Sequence, residues 1–572
     1  MPANLQRLLT QLEEARQRFG AGAESDTTKL LAQVARQRFR DADSLVRFHD
    51  ALLFLRAFPA GPAIVKQTEA LLAGFNARIA ELEKSGADME AFEDESVSGI
   101  AGVDIVDAFS YPIAQWLASR FPQAVRIYWD AAEQTSRMAN TWPRFLPLLE
   151  EDALVEADVP YQRWLREASG KSGNLAWLLQ RFAQLPRSAR EKAELYESLE
   201  LPLEWKTGTA SRTLCRKPGG QVFYHREPLI IRKQVSLERE MAAPLEFRTL
   251  SPAESEEIID LSRQALTVRY RGLYGMTHGS GSAVVEADVG RGVKIFLWGV
   301  PPELRLPLRA YCAGFTLKNG VPINYIEAIS LFEWTEVGFN TFYAFRDGET
   351  AWIYAQALRC LRQLLGVSCI SVYPYQIGHG NPEALKSGAF WFYRKLGFRP
   401  GRPELVKVVE LEEKKIAAKP SYRTPLSTLK KLAAEHIFYE VPGTPRAEWD
   451  RFAMRNIGFA VQRRMAQEFS GSASLMRAQS AASLAGMLGV NGEGWNEHER
   501  AAFENFALVL GVVSLEDWKA ADKTALTEII RAKMEKEEWR YLRSMQGHGR
   551  LRREMLRLGS AADSSHAKAC SE

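Results

Sequence analysis

A short loop between a strand and a helix is a candidate for anion chemistry in this sequence. The strand VGFNTFYAFR (337–346) leads into the loop RDGET (346–350), and a helix is predicted from about Ala351. The first turn of a helix leaves backbone N–H groups unpaired, and they converge with the positive end of the helix dipole. A pyrophosphate can bind at such a place. The sequence therefore predicts a diphosphate site built from the main-chain donors of this loop.

The elements around the loop form a strand–helix–strand unit. The helix AWIYAQALRCLRQLL ends at Gly366, a predicted C-cap, and VSCISVYPY after it is typical of a short interior strand. This order predicts a βαβ crossover with parallel strands. Asn381 and Pro382 then begin a further helix, as N-cap and first helical residue, which is predicted to continue through SGAFWFYRKLGF to Gly397.

Three features of this region resemble the GNAT acyltransferase superfamily. The ending SGAFWFYRKLGFRP (387–400) is similar to that family's last helix, in which a Phe-Tyr pair precedes a Lys-Leu-Gly-Phe exit. The βαβ unit has the family's order. The hairpin predicted at Asn319-Gly320 lies upstream, where the family places two antiparallel strands. The resemblance covers about a third of the chain and implies acetyl-CoA or another acyl-CoA as co-substrate, with no metal.

The loop departs from the GNAT pattern Gln/Arg-x-x-Gly-x-Gly/Ala at one position. Arg346 and Ala351 match its ends, but Glu349 stands where glycine is expected and Gly348 comes one residue early. A carboxylate beside a diphosphate is repulsive unless it turns away. Either Glu349 faces solvent and Gly348 provides the flexibility, or the acyl-CoA is not bound in the usual way. The resemblance implies these cofactor-binding residues: Phe345, Arg346, Asp347, Gly348, Glu349, Thr350, Ala351 and Lys386.

The resemblance also implies that Tyr393 is the general acid that protonates the departing CoA thiolate. A phenol with an ordinary pKa of about 10 suits that task. The alternative is that Tyr393 and its aromatic neighbours pack the last helix against the sheet. Lys386 likewise has an alternative, as a solvated lysine.

Attack by an amine needs a base that removes its proton. Glu336 at the start of the central strand and His379 in a Gly-His-Gly loop are the predicted candidates, and Glu327 on the preceding strand could also face the acceptor. His278, in the glycine-rich YGMTHGSGS, is a weaker candidate on a predicted flexible loop that could act as a lid over the acceptor.

The apolar pattern changes along the chain and predicts an α+β multidomain protein. Residues 1–203 have helical spacing, residues 204–418 alternate strands and helices, residues 419–558 are helical again, and residues 559–572 are small and polar, a predicted disordered tail. The middle block is mixed α and β, and the resemblance implies a GNAT-like mixed sheet with helices on both faces. PLIIRKQVSL and PLEFRTLS are predicted as strands, and LSTLKKLAAEHIFYEV as a helix.

Composition excludes several classes of protein. The formal net charge is +4, from 74 basic and 70 acidic residues, so the charge predicts no nucleic-acid partner. Five scattered cysteines without a CxxC pair and eight dispersed histidines predict neither disulfides nor a metal site, and they favour a reducing, cytoplasmic compartment. No apolar run approaches the roughly 18 residues that span a bilayer, so no membrane is expected.

The resemblance thus implies an acyl-CoA-dependent N-acyltransferase that transfers an acyl group, in the first place acetyl, to an amine of a small molecule or a protein. One alternative is a degenerate GNAT-like scaffold whose helical domains bind a protein partner, which Glu349 favours. Another is a transferase that uses a different activated acyl donor, such as aminoacyl-tRNA, which the near-neutral charge makes less attractive.

Overall fold

Residues 3–132, 137–146 and 160–560 are described by the computed structural model. Within them the protein has a nine-stranded mixed sheet, a three-stranded sheet and many helices, which confirms the predicted α+β class. The strands are β1 Ile105–Asp107, β2 Val125–Ile127, β3 Leu203–Trp205, β4 Arg248–Thr249, β5 Val284–Gly290, β6 Val293–Trp298, β7 Ala310–Lys318, β8 Val321–Leu331, β9 Trp334–Thr341, β10 Cys369–Val372, β11 Arg399–Pro400 and β12 Ile437–Glu440.

The helices fall into three groups along the chain. The first group is Ala3–Ala15, Ala23–Ala35, Ala42–Ala57, Pro62–Ala73, Phe75–Lys84, Tyr111–Arg120, Trp129–Ala132, Arg137–Thr141, Tyr161–Ser169, Asn174–Gln184 and Ala189–Glu197. The second is Leu237–Ala242, Pro252–Thr267, Tyr274–Thr277, Thr350–Leu365, Pro374–Ile377, Pro382–Ser387, Ala389–Arg394, Pro403–Ala418 and Leu426–Leu432. The third is Met454–Phe469, Ala473–Leu488, Glu497–Leu510, Ala520–Ala532, Glu538–Gln546 and Gly549–Ser560.

The main sheet has the order β4-β5-β6-β7-β8-β9-β10-β12-β11. All neighbouring strands are antiparallel except β9 and β10, which are parallel and joined by the helix Thr350–Leu365. The predicted βαβ unit is therefore confirmed, although its first strand ends at Thr341 and not at Arg346, because Tyr343–Phe345 forms a short 3-10 helix. The hairpin at Asn319-Gly320 is confirmed as well, since both residues have the positive φ angles, 49° and 79°, that a type I′ turn needs. Gly366 ends the connecting helix in the left-handed conformation, with φ 76°.

Two hydrophobic cores are present in the described residues. The larger one joins the first five helices, the main sheet and the C-terminal helices. The smaller one belongs to the segment from β1 to β3 and centres on Trp142, Phe182 and Trp205. The block 1–203, predicted as helical, thus also contains the strands β1 and β2, which pair with β3 at its C-terminal boundary to form a three-stranded sheet.

Three local predictions are wrong for reasons of tertiary context. PLIIRKQVSL is not a strand, because the Ile230 N–H bonds to the Glu349 carboxylate at 3.0 Å instead of joining a ladder. HIFYEV is not helical, because Ile437–Glu440 is inserted between β10 and β11 and pairs with both. The helix predicted to run to Gly397 is broken at Gly388, which has φ 68°. Of the predicted tail, Gly559 and Ser560 belong to the last helix, and residues 561–572 lie outside the described residues.

Candidate functional site at the gap between two parallel strands

The parallel pairing of β9 and β10 stops early and leaves a gap. The register runs from Trp334 opposite Cys369 to Glu336 opposite Ser371. Strand β10 ends one residue later, whereas β9 continues to Thr341. The central strand therefore keeps an unpaired edge beyond Glu336, on the side of β10.

The main-chain groups that face this gap follow from the alternation of β9. The Glu333 carbonyl accepts a hydrogen bond from the start of β10 at 3.1 Å, and the Phe342 N–H donates to β8 at 3.0 Å. Odd-numbered residues of β9 consequently turn their main chain toward β10, and even-numbered residues turn it toward β8. Val337 and Phe339 thus present main-chain N–H and C=O groups to the gap, where no strand of the described chain pairs with them.

A carboxylate–imidazole pair lies on one face of the sheet at the mouth of the gap. Glu336, predicted as a candidate base, hydrogen-bonds through Oε2 to Nε2 of His436 at 2.6 Å, and both side chains are partly exposed. With Glu336 ionised, Nε2 is the donor and Nδ1 is left as an acceptor. His436 precedes β12, and its ring also contacts Tyr373. The pair can therefore accept a proton from a group bound at this mouth.

A second carboxylate lies on the same face, on β8. Glu327 is directly opposite Gly338 of β9, a residue without a side chain. The Tyr311 hydroxyl donates to a Glu327 carboxylate oxygen at 2.6 Å and accepts from the Gly275 N–H at 3.0 Å. Burial raises the pKa of Glu327, although the bond from Tyr311 lowers it. Glu327 is therefore a further proton acceptor with a pKa tuned upward.

The opposite face of the gap carries two phenols. Tyr393, on the helix Ala389–Arg394, is 5% exposed and its ring lies 5.6 Å from that of Tyr354 and 5.7 Å from that of Phe398. Tyr354 packs edge-on against Phe339, whose side chain points to this face. The buried Tyr354 hydroxyl has no hydrogen-bond partner among the described residues. Burial raises the pKa of Tyr393 above its usual range. Tyr393 is thus part of an aromatic cluster, as the packing alternative predicted.

The loop after β9 is held by residues from distant parts of the chain. The Arg346 guanidinium forms an ion pair with Glu383 and stacks on the Tyr343 ring, with its centre 3.8 Å away. Asp347 pairs with Arg16 at 2.7 Å. A Cβ atom on Gly348 would lie 2.7 Å from the Phe58 ring of the N-terminal helices. The loop is therefore covered on one side by the N-terminal helices and linked through Arg346 to the segment after β10.

Glu349 does not face solvent, so the alternative in which its carboxylate turns outward beside a flexible Gly348 is wrong. Its side chain has no exposed area, and its carboxylate accepts from Ile230 N–H at 3.0 Å and from Arg291 Nε at 3.2 Å. The Lys318 ammonium lies 3.9 Å away and is also fully buried. Burial lowers the pKa of Lys318 to about 7, while Glu349 raises it. The carboxylate is thus turned into a buried ion cluster, defined as Arg291, Lys318 and Glu349.

The first turn of the helix Thr350–Leu365 is left without a side-chain cap. Glu349 occupies the N-cap position but makes no capping hydrogen bond. The N–H groups of Thr350, Ala351 and Trp352 have no acceptor among the described residues. The predicted main-chain donors therefore exist, and the residue that departs from the loop pattern does not occupy them.

The remaining predicted site residues differ in their burial and in their distance from the gap. Phe345 and Ala351 are buried, and the Thr350 hydroxyl donates to the Arg346 carbonyl at 3.1 Å. Lys386 is exposed on a short helix, and His379 is exposed in its loop. In the described part of the chain, no contact joins either of the last two to the gap.

The residues that sequence reasoning missed come from elements it misread or could not place. His436 lies within LSTLKKLAAEHIFYEV, which was predicted as a helix, and the aromatic, β-branched run IFYE was the signal that favoured a strand. Arg291 and Lys318 carried no signal of their own, since both are ordinary hairpin residues in the sequence.

No group of three or more His, Cys, Asp or Glu side chains is placed to hold a metal ion among the described residues, and none of the described helices is long and apolar enough to cross a bilayer. Comparison of the chain with protein-family models, with curated proteins and with solved structures gives no match.

Proposed function

We propose that the protein is an acyl-CoA-dependent N-acyltransferase of the GNAT type, with the gap between β9 and β10 as its reaction site. The observation that carries the proposal is the gap itself. An unpaired strand edge at Val337 and Phe339 leads toward an uncapped helix N-terminus at Thr350–Trp352. The edge can pair with the amides of an extended pantetheine arm, and the helix N-terminus suits the diphosphate of the same donor.

The proton acceptors lie on one face of the gap and the proposed proton donor lies on the other. The Glu336–His436 pair, or Glu327, takes a proton from the protonated amine and leaves its nitrogen lone pair free. The nitrogen attacks the thioester carbon, the C–S bond breaks, and the thiolate leaves with its electron pair. The nitrogen, which now carries a positive charge, releases its second proton to solvent and becomes the amide nitrogen. Tyr393 donates a proton to that thiolate and regains one from solvent. The products are an amide, the free thiol of CoA and the proton taken from the amine.

Calorimetric titration of the purified protein with CoA and with acetyl-CoA tests donor binding. Saturable binding of both is expected, and absence of heat at millimolar ligand removes the enzyme proposal. Release of CoA thiol in the presence of a panel of amines then gives the rate. Tyr393→Phe is expected to lower that rate by about 10²- to 10⁴-fold, the usual contribution of a positioned acid.

Tyr354→Phe is the matched control for this variant. Both substitutions remove one hydroxyl from the same aromatic cluster, and both rings are buried. Only Tyr393 has a proposed acid role, so Tyr354→Phe is expected to keep the wild-type rate. Equal losses in both variants would mean that the cluster acts through packing alone.

A second candidate function, a GNAT-like scaffold that binds a protein partner, is favoured by the Arg346–Glu383 ion pair. Arg346 is the first residue of the loop pattern, and here its guanidinium is occupied. Glu383→Gln separates the two functions. If a diphosphate competes with Glu383 for Arg346, the variant binds CoA up to about fivefold more tightly, because an exposed pair contributes about 0–1 kcal/mol. A scaffold binds CoA neither before nor after the change.

A further inference from the structure

Four cationic side chains lie together at the surface, on the same side of the sheet as the two phenols. Two of them belong to the turn Arg232–Gln234, which packs beside the helix Thr350–Leu365. The third follows the helix Ala389–Arg394 directly. The fourth lies in the segment that the Trp391 indole N–H holds through the Thr424 hydroxyl, at 3.1 Å. The group is called the basic patch below and consists of Arg232, Lys233, Lys395 and Arg423.

The basic patch has no direct counter-charge in the part of the chain that the structure describes. No described carboxylate lies within 4.0 Å of any of its four cationic groups. The neighbouring Glu412 and Glu413 are paired with Lys415 at 2.7 Å and with Arg394 at 2.9 Å. Burial lowers the pKa of Lys395, and the positive charges of the other three members lower it further. An anion bound among these groups relieves their mutual repulsion.

The basic patch begins close to the helix N-terminus that suits a diphosphate. The Ile230 N–H donates to Glu349, the N-cap residue of the helix Thr350–Leu365, at 3.0 Å. Arg232 follows two residues later, and two residues of extended chain span at most about 7 Å. The patch is therefore within reach of a group that is attached directly to a diphosphate bound at residues 350–352.

An apolar side chain is exposed between that helix N-terminus and the basic patch. Ile231 is 59% exposed, the highest value for a large hydrophobic side chain in the described residues. An aromatic base that carries a phosphate suits such a surface, because its ring covers the apolar side chain while its phosphate pairs with the cations.

We propose that the basic patch binds the 3′-phosphate of the acyl-CoA donor and that Ile231 contacts its adenine ring. This inference rests on the proposed function, since the 3′-phosphoadenosine of CoA is joined directly to the diphosphate. A phosphate monoester carries a charge of about −1.5 to −2 at neutral pH and three acceptor oxygens, which suits several Lys and Arg side chains. The patch therefore selects free acyl-CoA over donors that lack the nucleotide, such as an acyl group on the phosphopantetheine of a carrier protein.

Calorimetric titration of the full chain with CoA and with 3′-dephospho-CoA gives the direct test, because the two ligands differ only in this phosphate. The ligand without the phosphate is expected to bind about 10- to 100-fold more weakly, since it loses a double charge that faces several cations. Raising the salt concentration is expected to reduce this ratio, because the patch is at the surface. Equal affinities would overturn the inference and leave the acyl-CoA proposal intact, whereas absence of heat with either ligand would remove both.

Lys395→Gln tests which residues read the phosphate. The variant is expected to bind CoA about fivefold more weakly, the effect of one charge pair at about 4 Å in water, and to bind 3′-dephospho-CoA as the wild type does. Lys519→Gln is the matched control, since it removes the charge of an exposed lysine before the helix Ala520–Ala532, and it is expected to keep both affinities. Equal losses for the two ligands in Lys395→Gln would show that Lys395 does not act on the 3′-phosphate and would overturn its assignment. If Lys395→Gln does not fold, the ratio of the two affinities in the wild type decides.

Discussion

Glu349→Gln tests how the buried ion cluster holds the loop after β9. The substitution keeps the shape of the side chain and an oxygen that can accept from the Ile230 N–H, but it removes the charge that Arg291 and Lys318 share. Removing one partner of a buried ion pair costs about 3–5 kcal/mol. The lower end applies here, since Arg291 is 24% exposed and can hydrate. Glu349→Gln is therefore expected to lower the free energy of unfolding by about 3 kcal/mol.

The assay is urea unfolding of the wild type, Glu349→Gln, Arg291→Met and the double variant. A coupling energy of about 2 kcal/mol between the two sites is expected, because each charge loses its partner in the other's absence. Glu383→Gln, which is 50% exposed, serves as the control and is expected to cost less than about 1 kcal/mol. A loss below about 1 kcal/mol for Glu349→Gln, with no coupling to Arg291, would contradict the buried cluster.

The CoA affinity of Glu349→Gln shows whether the Glu349 carboxylate points into the buried ion cluster or toward a bound diphosphate. A carboxylate about 5 Å from a phosphate charge costs about 3 kcal/mol at an effective dielectric constant of 20, which is more than a hundredfold in affinity. Glu349 is turned into the cluster, so Glu349→Gln is expected to change CoA affinity by less than about threefold. A hundredfold tighter complex would show that the carboxylate faces the donor.

Three further predictions concern stability. Burial lowers the pKa of Lys318 from 10.5 to about 7. The unfolding free energy of the wild type minus that of Lys318→Met is therefore expected to rise by about 1.4 kcal/mol per pH unit between these two pH values. A difference in urea unfolding that does not change with pH would refute this. Tyr354→Phe is expected to raise the unfolding free energy by about 1 kcal/mol, because it removes a buried hydroxyl without a partner; a loss instead would reveal a hydrogen bond. Gly348→Ala is expected to cost about 1–3 kcal/mol through its clash with Phe58, whereas Gly458→Ala, with open space around its helical position, is expected to stabilise by about 1 kcal/mol. Equal effects of the two alanines on thermal unfolding would rule out the clash.

The elements that could be predicted are those specified by neighbouring residues. Asn319-Gly320 specifies its turn by positive φ alone, and Gly366 ends its helix by the same property. The strand, helix and strand from β9 to β10 follow from local apolar patterns. Even Asn381, predicted as an N-cap, accepts the expected hydrogen bond from Ala384.

The chemistry of the candidate site could be predicted only in part, because its partners are far apart in sequence. Glu336 was found as a candidate base, but His436 lies 100 residues away, in a segment that was predicted as a helix. Glu349 meets Ile230 and Arg291, which are 119 and 58 residues away. Local patterns carry no information on such pairings, so a loop that is acidic in sequence can be neutral in the folded protein.

The charges of that loop bear directly on donor binding. Asp347 is paired with Arg16 and Glu349 with Arg291, so neither carboxylate is left unbalanced beside the uncapped helix N-terminus. The remaining competitor is the Glu383 carboxylate on Arg346, and that pair is 40–50% exposed and contributes about 0–1 kcal/mol. A diphosphate that forms charge-assisted bonds to Arg346 exceeds this value. Glu349, the residue that departs from the loop pattern, therefore does not itself oppose an anion at the helix N-terminus. Whether the chain binds acyl-CoA then depends on whether the donor can reach the N–H groups of residues 350–352 past the N-terminal helices that cover the loop.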